Sequence, residues 1–285
     1  MKKKLLLFTV ILINYLYPQE NSLELFPSGL NFIPLKANIY EAKMGLIYIP
    51  SNNNMKIDIG DNIDFLSFRL SDSERLTAGI EFFAYALSKS YKEFRLQIDA
   101  IDGLFGGNIS YSKFINDNQL TGRFRIIHNS AHLVDGHWDF HNNRWIDNYK
   151  PEPYSRDFTD LTIAYNYNLN FTSIRNYAAL HYAFLVRPSD VKRFNFNTGL
   201  EAGFNQLSGS FLGKDYLFFL AYDFLLSGAE KFSGSNNYML GIKFGSWYER
   251  GLQLFLSYYN GLDVFHAYYK RKIKYFGIGF SIDLL

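Results

Sequence analysis

RFNFNTGLEAGFN, residues 193–205, alternates along its length. Phe194, Phe196, Leu200, Ala202 and Phe204 take one side of an extended chain, and Arg193, Asn195, Asn197, Glu201 and Asn205 the other. Successive side chains of a strand point to opposite faces, so this segment has one apolar face and one strongly polar face. A membrane β-barrel needs that division, with lipid outside and a wet interior.

The pattern recurs. EFRLQIDA (93–100) sets Leu96, Ile98 and Ala100 against Arg95, Gln97 and Asp99, and GLQLFLSYYNG (251–261) places Leu252, Leu254, Leu256 and Tyr258 together. IKYFGIGFSIDLL (273–285) does the same with Phe276, Ile278, Phe280, Ile282 and Leu284. Less regular candidates lie near 38–50, 62–70, 76–88, 105–115, 119–130, 158–170, 172–187, 214–226 and 236–248, with 62–70 the weakest. Turn chemistry at 116–119, 207–210, 234–237 and 249–251 separates them. After the first residues no apolar run reaches the ~18 residues of a membrane helix. Lipid offers the backbone no hydrogen-bond partner, so such strands cross it only as a closed barrel. The expected fold is an all-β transmembrane antiparallel barrel of about 12 strands, with 10 or 14 as the even-numbered alternatives.

Composition agrees. Aromatics are 19% of 285 residues, with 28 Phe, 22 Tyr and 3 Trp. Mean hydropathy is nevertheless −0.13, so the aromatics are interleaved with polar residues. The start, MKKKLLLFTVILINYLYPQENS, has a basic head and a short apolar run, the form of a secretory signal peptide over about 1–20. Residues 21–285 then form one barrel domain, located in the bacterial outer membrane. Without Lys2, Lys3 and Lys4 the balance is 26 Lys plus Arg against 27 Asp plus Glu. Near-neutrality argues against a nucleic-acid partner, which requires a basic surface. With no cysteine, neither a disulfide framework nor a lipid-modified thiol is available.

The longest interruption of the pattern, about 131–157, is expected as an outer loop, and GRFRIIHNSAHLVDGHWDFHNNRWID (122–147) leads into it with four of the six histidines. On a strand, Phe124, Ile126, His128 and Ser130 share a face opposite Arg123 and Arg125. A charge on the lipid side at mid-membrane costs about 2–4 kcal/mol, so the arginines belong in the lumen. Arg95, Asp99, Arg193 and Glu201 join them there, as pairing charges that fill the interior of a small barrel. His128 and Ser130 are thereby placed on the lipid side near the rim. A serine hydroxyl becomes a nucleophile when a neighbouring base takes its proton, and a third polar group holds that base. Ser130, His128 and Asp157 suit these roles, with Asn142 or Thr159 as other third members. Membrane lipids are the expected partners, and no cofactor is implied.

The His-x-Ser pair resembles that of outer-membrane phospholipase A, a 12-stranded barrel, and of outer-membrane lipid A deacylases. The resemblance implies acyl-ester hydrolysis and a third member about a dozen residues after the serine, where Asn142 stands. A broader resemblance is carried by LFPSGLNFIPLKANIYEAK (25–43), LQIDAIDGLFGGNISYSKF (96–114), RFRIIHNSAHLVDG (123–136) and NYKPEPYSRDF (148–158). In that order they are similar to landmarks of the bacterial domain-of-unknown-function family 1207. Its first signature, like H-x-S-S-H-L-G-D-E, is matched by His128, Ser130, His132 and Asp135, and its second, like N-Y-S-R-E, by Ser155 and Arg156. Val134 and Gly136 depart from it.

Two other readings compete. His128 with His132, and His137 with His141, flank Asp135 and Asp139 in a set that suits zinc. Residues four apart on a strand are, however, about 13 Å apart, so the loop would have to fold back. Alternatively the loop, with Trp138 and Trp145, is only an aromatic interface belt, and the signature serves to fix a loop conformation with Asp135 and Arg156 as partners.

Overall fold

The computed structural model describes residues 22–91, 95–133, 138–139 and 141–284. The expected signal peptide lies outside them. Twelve antiparallel strands close into a barrel: β1 (Met44–Ile49), β2 (Asn54–Ser71), β3 (Glu74–Tyr91), β4 (Arg95–Ile115), β5 (Asn118–Leu133), β6 (Tyr154–Leu169), β7 (Thr172–Arg187), β8 (Phe194–Phe211), β9 (Lys214–Gly228), β10 (Phe232–Phe244), β11 (Gly251–Leu262) and β12 (Lys272–Asp283). Each pairs with the next, and β12 closes on β1 through Ile282↔Met44 to Ile278↔Tyr48.

Sequence periodicity and wall agree in detail. On β6 the outward Leu161 and Ile163 are exposed, whereas Asp160, Thr162 and Ala164, which alternate with them, are buried. The same exposed apolar rows run through Ile80 and Phe82, Leu180, Leu220, Leu240, and Ile278 and Phe280. A surface so apolar outside and so polar inside is that of an outer-membrane barrel. Turns such as Asp72–Ser73, Asn116–Asp117 and Leu212–Gly213 are short at one end, while longer connections occupy the other. Gly213 sits at φ +74° and Leu212 at +50°, which makes that turn tight.

Several boundaries differ from expectation. Segments 93–100 and 105–115 are one strand, β4, and the weak candidate 62–70 is the lower part of the 18-residue β2. The turns expected at 207–210 and 234–237 lie inside β8 and β10; in β10 Ser235 and Asn237 are buried in the lumen rather than breaking the chain. Asp99 is the extra residue of a bulge, since Leu87 pairs Ala100 and Ser88 pairs Ile98. Ala100 is consequently buried instead of sharing the outer face of Leu96.

The largest difference is the N-terminal segment. Residues expected to begin a strand at 38 instead run through the lumen before β1 starts at Met44. Leu23–Leu25 adds to the edge of β2, pairing Leu66–Phe68. From there Phe32, Leu35, Ala37, Asn38, Tyr40 and Glu41 are all buried inside the barrel. Lumenal side chains satisfy the backbone of this segment: Asp64 accepts from Asn31 N at 2.8 Å, Glu201 from Lys36 N at 2.5 Å, and Arg175 donates to Ile33 O at 2.8 Å. Glu41 receives both Nη groups of Arg123, and Arg125 bridges Glu81, Asp160 and the Tyr40 carbonyl. The lumenal placement of Arg123, Arg125 and Glu201 agrees with the sequence pattern. Arg193 does not: it lies exposed at the loop end, donating to Ala183 O and Phe184 O, because β8 begins only at Phe194. Arg95's side chain is outside the described set.

Candidate active site on the lipid-facing wall

β5 reaches Leu133 and β6 resumes at Tyr154, so the long loop is shorter than expected. Their register sets the site. His128 faces Asp157, Asn129 faces Arg156 and Ser130 faces Ser155. Ile127, Asn129 and Ala131 are buried inward, leaving His128, Ser130 and His132 on the outer face near the loop end. On β6 Tyr154, Arg156 and Phe158 point in, and Ser155, Asp157 and Thr159 point out. A polar strip thus interrupts an otherwise apolar wall.

Two hydrogen-bonded pairs occupy the strip. His128 Nδ1 lies 2.6 Å from Asp157 Oδ1, both partly exposed, with the His128 ring 4.9 Å from that of Phe105. Ser130 Oγ lies 3.1 Å from His132 Nε2. Asp157 therefore meets His128 as geometry suggested. The bond expected between His128 and Ser130 is not formed among the described residues; Ser130 turns to the histidine on its other side. On a strand both i−2 and i+2 neighbours share a residue's face, so the sequence motif names two equivalent imidazoles.

Asn142 makes its hydrogen bonds to Asp139 rather than to His128 or His132. It sits in the turn of a two-stranded outer hairpin, Trp138–Asp139 with Arg144–Trp145, where its amide bonds Asp139 Oδ2 at 2.6 Å. That bond holds the Asp139 carboxyl below the usual carboxylate range. Trp138 and Trp145 pack edge to face at 5.0 Å, which ties the hairpin together. Asp135 and His137 lie outside the described residues. Among those described, no cluster of His, Asp and Glu could hold a metal ion.

Arg156 points inward, into a layer the sequence reading did not anticipate. His266, on a single turn between β11 and β12, places Nδ1 2.6 Å from Asp102 Oδ2 and packs against Tyr154 at 4.5 Å. Burial pushes the His266 pKa down despite Asp102 beside it. His266 follows a regular strand by only a few residues and has no local motif, so only the folded loop reveals it.

Solved structures similar to this chain include LpxR from Salmonella typhimurium, at 8% identity and TM-score 0.37, covering 84% of this chain and 98% of that one. A KdgM porin matches at 9% identity and TM-score 0.34, covering 84% and 99%. OccAB1 of Acinetobacter baumannii matches at 11% and 0.35, covering 93% and 74%. The barrel is established by the chain's own strand pairing rather than by these likenesses. No curated protein matches. A family model described as "Protein of unknown function (DUF1207)" matches residues 24–284, and the chain belongs to that family.

Proposed function

We propose that the protein is an acyl-ester hydrolase of phospholipid or lipopolysaccharide acyl chains, with Ser130 as nucleophile. The observation that carries this reading is the outward-facing Ser130 with an imidazole nitrogen 3.1 Å from its hydroxyl, beside a second imidazole held by a carboxylate. His132 Nε2 takes the Ser130 proton as Oγ attacks the ester carbonyl, and returns it to the departing alcohol. Asp157 fixes Nδ1 of His128 and leaves its Nε2 for the water that cleaves the acyl-serine. The outward facing of the strip, near the loop end of β5 and β6, supports a membrane lipid as substrate.

Lipid mass spectrometry on outer membranes carrying equal amounts of wild type and Ser130→Ala tests this. Lysolipid or deacylated lipid A is expected only with wild type. Identical lipids would select a second reading, a non-catalytic structural barrel. That alternative is favoured by one observation, a lumen filled by the N-terminal segment and its ion pairs, and this filling weighs against transport.

A further inference from the structure

Two arginines of this barrel, Arg175 buried and Arg271 partly buried, grip carboxylates along one edge. Arg175 bonds Glu201 Oε2 through Nε at 2.9 Å and Nη2 at 2.5 Å. Arg271 reaches Asp263 Oδ2 through Nε at 2.7 Å and Nη2 at 2.6 Å. In Arg156, only 3% exposed, the same two nitrogens have no hydrogen-bond partner. Its guanidinium instead packs against two adjoining rings, 4.7 Å from the Tyr40 centroid and 4.6 Å from that of Phe158. Ring faces attract a cation but leave its in-plane N–H donors unsatisfied. Arg156 also lines a cavity at the loop end of the lumen, with Tyr154, Tyr269, Ser227, Val191 and Asp263. The cavity is small, about 30 Å³, and opens to solvent; that is room for roughly two water-sized atoms, the size of a carboxylate's oxygen pair.

We infer that this cavity binds a small carboxylate ligand from outside the cell, with Arg156 as its charged anchor. Nε and Nη2 form the same edge through which Arg175 and Arg271 hold a carboxylate, and an edge of two parallel N–H donors suits a flat, two-oxygen acceptor. Asp263 in the same wall is already neutralised by Arg271 and accepts the Phe265 N–H, so it tolerates a monoanion. A phosphate dianion would meet more repulsion from that carboxylate. The site faces the lumen and is independent of the lipid-facing strip.

Calorimetric titration of the detergent-solubilised full chain with sodium acetate and sodium propionate, at ionic strength fixed with chloride, tests the inference. Saturable binding is expected with wild type and at least about tenfold weaker binding with Arg156→Gln, the loss of a charge-assisted contact. Ser227→Leu, which fills the cavity while keeping the arginine, is expected to weaken binding likewise. Equal binding by a folded Arg156→Gln would overturn the site, as would unchanged binding by Ser227→Leu if Arg156→Gln does not fold. Absence of saturable binding in wild type, or saturation by inorganic phosphate alone, would overturn the carboxylate assignment.

Discussion

His128, Ser130 and His132 share the outer face of β5 because a strand repeats every two residues, while register with β6 supplies Asp157 to His128. The two imidazoles therefore have separable roles. His132→Ala is expected to abolish acyl transfer to Ser130, by a factor of about 10²–10⁴. Asp157→Asn is expected to leave that step and slow deacylation. Intact-protein mass spectrometry after incubation with lipid should show the acyl adduct accumulating in Asp157→Asn and missing in His132→Ala. The reverse pattern would exchange the roles of the histidines. The face of Ser130 was legible in the sequence, since Arg123 and Arg125 could not face lipid. Its partner was not, because the alternation gives His128 and His132 the same standing and only side-chain packing separates them.

At the scale of elements, the N-terminal segment behaves as an internal strut. Glu41 is held by Arg123 and lies beside Arg125, all at most 3% exposed. Removing one partner of such a group leaves the others buried and uncompensated, which costs about 3–5 kcal/mol. Glu41→Ala is accordingly expected to lower unfolding free energy by that order in urea titrations of folded barrels, whereas Glu24→Ala, on an exposed carboxylate 4.0 Å from Arg75, should change little. The sequence concealed this strut. LFPSGLNFIPLKANIYEAK has Pro27, Pro34 and mixed polarity but no clean period, because its surroundings are polar walls on all sides rather than one apolar face. The bulge at Asp99 was hidden for a related reason: it changes facing by one residue without changing composition.

For the whole molecule, outer face and lumen make opposite demands. Ile163, in the middle of β6 and 54% exposed, belongs to the apolar band; Ile163→Arg is expected to cost about 2–4 kcal/mol of folding stability in bilayers. Conductance in planar bilayers should be small for wild type, since residues 32–42 and their ion pairs occupy the lumen, and should rise when Glu41→Ala loosens them. The alternation of apolar and polar residues by itself determined a membrane barrel of about twelve strands and the inward facing of Arg123, Arg125 and Glu201. Those follow from a local repeat and from lipid's refusal of unpaired backbone and charge. Tertiary structure alone decided that the N-terminal segment enters the lumen, that His132 meets Ser130, and that Arg156 has no carboxylate partner among the described residues. Each depends on contacts between residues distant in the chain, and no local pattern encodes which of several compatible partners will lie within reach.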